Sequence, residues 1–284
     1  MDFKSDARIR GGSARSGGGG RGGLAIGGGA GLVVLVIALF LGVDPSMLLS
    51  GGPQPETSAQ PGTDYSHCQT GADVETHPEC RWPAYSTSTN DFWIERFDGY
   101  EESSIITFSG QVSTGCGMAS SQTGPFYCPA DRLVYVDTDF LGKLLNELGT
   151  QGGQAAEVYI VAHEFGHHAQ ELQGLLAKSR QGAQQGEDSP AVRAELQADC
   201  YAGAYLAWAN ENPDDLIENI TAEDMHRVMD AARVVGDDHI QERSGEVNPD
   251  LWTHGSSEMR QRWLDRGLRT GDVRQCDTFS ARTL

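Results

Sequence analysis

Basic side chains are scarce in this chain: lysine and arginine number 21 against 40 aspartates and glutamates, a formal net charge of -19 over 284 residues. A surface of that sign excludes nucleic acid as a partner. Internal repeats are absent, and the glycine-rich stretches carry neither a P-loop nor an RNA-binding pattern. No cysteine precedes residue 68, and no charged residue falls between Gly22 and Val43. What is present includes 38% hydrophobic residues, enough for a core in one large domain or two small ones.

The uncharged run ends in the strongly apolar Leu32-Val33-Val34-Leu35-Val36-Ile37-Ala38-Leu39-Phe40-Leu41 and is long enough to cross a bilayer, which takes about 20 helical residues. A cleaved signal peptide would need a small-residue site after it, where Asp44-Pro45-Ser46-Met47 stands. A core helix there has no neighbour to pack on. The expectation is one transmembrane helix over residues 22–43. Lys4, Arg8, Arg10, Arg15 and Arg21 on its N-terminal side, against Asp2 and Asp6, place that side in the cytoplasm and the acidic bulk outside, as a single-pass protein of the cell membrane.

Residues 1–21 read as a disordered basic Gly/Arg-rich tail, with arginines resting on lipid headgroups, and 44–66 as a flexible Pro/Gly/Ser/Thr linker. Residues 67–284 then form the folded domain. Its six cysteines suggest disulfides in an oxidising compartment. The sequence leaves many connectivities open; pairing neighbours joins Cys68 to Cys80 and Cys116 to Cys128, leaving Cys200 for Cys276.

Within the domain, Asp91 to Phe97 has helix-like apolar spacing, and Ile105 to Phe108, Phe126 to Cys128 and Leu133 to Val136 read as strands. An apolar stripe through Ala155, Val158, Tyr159, Ala162, Phe165, Ala169 and Leu172 predicts a helix over 154–172. Ser189 followed by Pro190 starts another, to about Ala209. Further helices are expected over 221–235 and 256–266, each begun by a hydroxyl residue.

The 154–172 helix contains His163-Glu164-Phe165-Gly166-His167, the pattern H-E-x-x-H. Four residues of separation put His163 and His167 one turn apart on one face, where two imidazoles can hold one Zn²⁺. Glu164 then stands beside the metal, placed to take a proton from a water and pass it to a leaving amine. One class of zinc peptidases adds a third histidine through H-E-x-x-H-x-x-G-x-x-H, but Gln170 and Gln173 occupy the glycine and histidine positions here. The alternative is a glutamate from a second helix in an E-x-x-x-D pattern. Glu195 and Asp199 provide it, 28 residues past His167, among small and apolar neighbours that suit a buried helix rather than a solvated acidic face. Buried carboxylates need a cationic or donor partner. Glu195 is thus the expected third ligand, and Asp199 the acceptor that orients a ligating histidine. Glu171, Glu187 and Asp188 are less well placed to reach back.

At this point the chain resembles the neutral zinc metallopeptidase family of bacteria, the YpfJ type. The segments that carry the likeness are V-A-H-E-F-G-H-H-A-Q, E-L-Q-A-D-C-Y-A-G, G-P-F-Y-C-P-A-D, G-D-D-H-I-Q and T-H-G-S-S-E-M-R-Q-R-W, spread over about residues 68 to 280. The resemblance implies a membrane-tethered, gluzincin-like domain with His163 and His167 as ligands, Glu164 as base and Glu195 as third ligand. In zinc peptidases a strand near the metal helix pairs with the substrate backbone, for which Leu133 to Val136 is the candidate. Gluzincins with a similar T-H-x-S segment put a histidine or arginine near the active centre. That makes His254, or else Arg260, a candidate for stabilising the oxyanion on the scissile carbonyl, with Tyr201 and Tyr205 behind them. The bland reading of Thr253–Ser257 is a capping segment for the last helix. His168 points away from the ligand face and suits packing; His67 and His77 read as surface residues, His226 as part of a polar helix face, and His239 as a loop residue.

The expected fold is α+β, a zincin-like metallopeptidase domain, mostly helical with a small sheet, preceded by one transmembrane helix. The expected function is a membrane-anchored, zinc-dependent metalloendopeptidase-like hydrolase acting on protein or peptide outside the cytoplasm, with Zn²⁺ as cofactor and no oligomeric state specified. Two rivals stand beside it: a non-catalytic cell-envelope binding or scaffold protein retaining a zinc site, and a zinc hydrolase of a non-peptide amide.

Overall fold

A computed structural model describes residues 1–17, 63–243 and 245–284. The expected transmembrane helix over 22–43 lies outside these residues, as does most of the expected linker. Among the described residues no helix is long and apolar enough to cross a membrane.

The architecture is mixed α+β, about half helical with small sheets. Strands β1 (Asp2–Phe3) and β2 (Ala14–Ser16) open the chain, and helices α1 (Gly71–Thr76) and α2 (Arg81–Arg96) follow. Five strands come next: β3 (Ile105–Phe108), β4 (Gln111–Thr114), β5 (Gly117–Ser120), β6 (Phe126–Cys128) and β7 (Leu133–Asp137). The helical half holds α3 (Leu141–Leu148), α4 (Gln154–Leu172), α5 (Leu175–Ser179), α6 (Pro190–Glu211), strand β8 (Ile217–Glu218), α7 (Ala222–Val234), α8 (Asp237–Glu242) and α9 (Ser257–Thr270).

The long helices begin where local chemistry dictates. Ser189 accepts the amide of Val192 ahead of Pro190, Thr221 forms a capping box with Asp224, and Ser256 accepts the amide of Met259. Helix α2 starts earlier than its apolar spacing suggested. Its first half includes Ser86-Thr87-Ser88-Thr89-Asn90, which is polar yet buried. The polar groups find internal partners: Ser88 Oγ donates to Asp215, and the Asn90 amide donates to the carbonyls of Ser86 and Ser103.

The four-stranded sheet runs β2-β3-β7-β6, with β2, β3 and β7 parallel and β6 antiparallel at one edge. β3 is buried throughout, as suits its mostly apolar, β-branched run in a parallel setting. β7 pairs with β6 through Leu133–Tyr135 and with β3 through Val134–Asp137, so most of Leu133 to Val136 has no free edge for a substrate, contrary to expectation; the edge strand on that side is Phe126–Cys128. Which strand is outermost depends on sheet order, and the two strands look alike in sequence. The disulfides are Cys68–Cys80, Cys116–Cys128 and Cys200–Cys276.

Helices α6 and α9 touch through glycines. A Cβ on Gly203 would lie 2.2 Å from the Leu264 carbonyl oxygen, and one on Gly267 2.0 Å from that of Cys200. Cys200–Cys276 fastens the same pair of segments.

Residues 1–17 are not a disordered tail. β1 pairs with β8 and β2 with β3, Ile9 N–H donates to Gln69 and Gly71 N–H to Ala7, and Phe3, Ile9 and Ala14 are buried. Arg10 is engaged by Asp91, Glu102 and the Thr87 carbonyl rather than by headgroups. Apolar residues scattered singly among Gly, Ser and charged side chains give no periodic signal, which is why this stretch looks unstructured in one dimension. A segment woven into the domain shares the domain's side of any bilayer, so an arrangement with residues 1–17 on one side and the domain on the other does not fit this fold.

Candidate metal centre

Helix α4 sets His163 and His167 one turn apart, their ring centroids 4.7 Å from each other. Helix α6 crosses it closely at Gly166, where a Cβ would stand 3.2 Å from Cα of Ala198. That approach brings in Glu195, whose Oε2 lies 3.2 Å from His163 Nε2 and whose Oε1 lies 3.4 Å from His167 Nε2. One ligand atom from each of the three falls within 4.8 Å of the others. Donors about 2.0–2.1 Å from a tetrahedral zinc are separated by roughly 3.4 Å, so the triad fits that ion.

Both imidazoles are held from behind. Asp199, fully buried, accepts His163 Nδ1–H at 2.8 Å, Tyr159 O–H at 2.7 Å, and Arg260 through Nε at 2.8 Å and Nη2 at 2.9 Å. On the other ring, Gln170 Oε1 accepts His167 Nδ1–H at 2.8 Å, and its amide donates to the Ala194 carbonyl and Gln197 Oε1. Each histidine therefore turns Nε2 towards Glu195.

The electrostatics favour a cation. Burial would raise the Asp199 carboxyl, but Arg260 and His163 outweigh it and hold it at about 2. Burial opposes charge on His163 too, yet Asp199 and Glu195 push it up to about 10. Glu195 would be raised by burial and is instead held well below the usual carboxylate range by His167, His254 and His163. A divalent ion can take the place of these protons.

Glu164 is buried beside the triad. Burial raises its carboxyl, with His167, His163 and the backbone N–H of Tyr127 on β6 pulling the other way. A carboxyl raised above its usual range suits a general base.

His254 is anchored by Asp237. The Nδ1–H donates to Asp237 Oδ1 at 3.2 Å, while Oδ2 accepts the amides of Thr253 at 2.7 Å, His254 at 2.7 Å and Gly255 at 3.0 Å. Burial pulls His254 down, and the negative charge of nearby Glu195 and Asp237 raises it. Its ring thus lies within electrostatic reach of Glu195.

Arg260, the alternative for oxyanion contact, is spent on Asp199 and the Val235 carbonyl. Neither tyrosine reaches the centre: Tyr205 O–H meets Ser88, and Tyr201 packs edge-on against Trp93. His168 donates Nε2–H to the Glu101 carbonyl and accepts Tyr127 O–H, a packing role; His239 contacts the Leu148 carbonyl. Sequence reasoning missed Gln170, Tyr159 and Asp237 as supports. Gln170 and Tyr159 sit three and four residues from a ligating histidine, a helical spacing that marks them. Asp237 acts through tertiary approach alone.

A family described as "Putative neutral zinc metallopeptidase" matches residues 2–279, a span that includes the N-terminal strands. Uncharacterized proteins of Mycobacterium bovis and Mycobacterium tuberculosis are each 46% identical over 254 residues, covering 87% of this chain and 86% of theirs. The uncharacterized protein YpfJ of Escherichia coli is 36% identical over 273 residues, covering 92% and 87%. No solved structure matches.

Proposed function

The chain belongs to the neutral zinc metallopeptidase family, and on that premise we propose that it is a zinc-dependent endopeptidase. The observation that carries the reading is the convergence of His163, His167 and Glu195 from two helices with Glu164 beside them. A zinc ion held by the three would supply a Lewis acid that polarises a carbonyl and makes water acidic near neutral pH. Glu164 takes the proton of the attacking water and delivers it to the departing amine. Asp199 and Gln170 keep the two imidazoles in their ligating tautomer and orientation. His254, steadied by Asp237, donates a hydrogen bond to the oxyanion as it develops. The edge strand Phe126–Cys128, which supplies the Tyr127 amide to Glu164, aligns the extended substrate.

The disulfides support work in an oxidising compartment outside the cytoplasm. The apolar run Gly22–Val43 provides membrane contact, with residues 1–17 and the domain on the same side of it.

A scaffold that merely keeps zinc is less well supported, because structural sites close with four protein ligands and this one offers three plus a base. The test is Glu164→Gln in the full chain, assayed for casein and peptide hydrolysis and for bound zinc. Loss of hydrolysis with zinc retained is expected. Cleavage at the parent rate, or a parent protein that cuts only non-peptide amides, would refute the reading.

A further inference from the structure

At the entry to the domain, far from H-E-x-x-H in sequence, the donor set of the centre is repeated. His67, His77 and Glu79 converge, with Glu79 Oε1 3.2 Å from His67 Nε2 and 3.7 Å from His77 Nδ1. The two rings stand 4.6 Å apart at 68°. One ligand atom from each of the three lies within 4.8 Å of the others.

We propose that these residues form a second, surface site for a divalent transition metal of the zinc class. Two imidazole nitrogens and one carboxylate oxygen are borderline ligands suited to that class rather than to calcium or magnesium. The spacings approach the edge of a zinc tetrahedron, roughly 3.4 Å, as do the 3.2 and 3.4 Å of the centre. Ordinary pairing accounts for only part of the cluster. His67 is within hydrogen-bond reach of Glu79, but His77 at 3.7 Å is beyond it, so its ring keeps a lone pair free for a metal.

The backbone holds the three together before any ion arrives. His67 immediately precedes Cys68 and Glu79 immediately precedes Cys80, so the Cys68–Cys80 disulfide, with its Cα atoms 5.3 Å apart, fixes two of the ligands. His77 ends α1, and Pro78 stiffens the turn that follows. All three side chains are partly exposed, which leaves water to complete the coordination. Open to solvent where the centre is buried, the site is structural or regulatory. Its ligands bracket the stretch on which the N-terminal segment docks, where Gln69 accepts the Ile9 amide and Gly71 and Ala72 donate to Ala7 and Ser5. An ion there would clamp that junction.

The test is zinc titration of the chelator-stripped full chain against a chromophoric chelator, with thermal unfolding followed in parallel. Wild type is expected to bind two equivalents. His77→Ala and the milder His77→Gln should each bind one and keep peptide hydrolysis, and zinc should raise their unfolding midpoint less than that of wild type. His163→Ala should also bind one equivalent, but lose hydrolysis. A single equivalent in wild type, or two in both His77 variants, would overturn the second site. Neither result bears on the Glu164→Gln test of the peptidase reading.

Discussion

Asp199→Asn separates the support of the metal from the metal itself. The wild-type carboxylate accepts four hydrogen bonds, from His163, Tyr159 and twice from Arg260, with no exposure to water. An amide of the same shape keeps one oxygen and turns an N–H₂ towards donors. Two costs follow. The Arg260 guanidinium becomes a buried charge without a counter-ion, worth about 3–5 kcal/mol of stability. His163 loses the partner that fixes its Nε2 lone pair, and a change of this kind typically weakens metal binding by about 10- to 100-fold. A second substitution tells them apart. In Asp199→Asn with Arg260→Met, the stranded charge is gone, so urea unfolding of the metal-free protein should recover most of the loss while zinc affinity stays weak. The assay pairs urea titration with zinc competition, in a His77→Gln background so that only the centre is counted. Equal zinc affinity in Asp199→Asn and wild type, or no recovery in the double variant, refutes the reasoning.

Asp215 is buried, its Oδ2 accepts Ser88 Oγ–H and the Ile217 amide, and Oδ1 has no partner; burial lifts its carboxyl to about 6 from the usual 3.8. A raised acid contributes stability below its unfolded value that is lost as pH rises through the folded one, so Asp215→Asn should gain on wild type between pH 4 and 7, by at most about 3 kcal/mol. Melting midpoints at both pH values check this, and a constant difference counts against it. Gly203→Ala drives a methyl into the Leu264 carbonyl and should cost about 1–3 kcal/mol or more. Midpoints equal to wild type would show that α6 and α9 can part freely. Replacing Cys200 and Cys276 by alanine opens a loop of 76 residues and should cost about 4 kcal/mol on chain-entropy grounds, read by urea unfolding. An unchanged denaturation midpoint would deny that tie a stabilising role.

What was legible in the sequence is what short-range chemistry writes there. Ser189 with Pro190, Thr221 and Ser256 mark helix starts because a cap is settled within four residues, and the 154–172 helix declares its bounds through its stripe. The i, i+4 spacings of His163 with His167 and Glu195 with Asp199 likewise put each pair on one face before any tertiary contact is known. What stayed hidden depends on partners distant in sequence. Arg260 is six residues from His254 and looked equally free to face substrate, yet its destination is set by Asp199 on another helix. The buried polar run in α2 carries no apolar period, and its partners Asp215 and Tyr205 lie over a hundred residues away. Phe126–Cys128 and Leu133–Val136 differ only in which is outermost, and no local signal encodes sheet order.

The pairing of Ala14–Ser16 with Ile105–Phe108, and of Asp2–Phe3 with Ile217–Glu218, reverses the order of synthesis. Residues 2–16 emerge from the ribosome before their partners and are seated late, because each strand must wait for a partner that emerges much later. Until then one side of β3 is a bare, mostly apolar edge, the kind of strand on which unfolded chains aggregate. A fragment begun near residue 66, the natural choice for anyone who takes the opening for a dispensable tail, keeps that edge bare permanently.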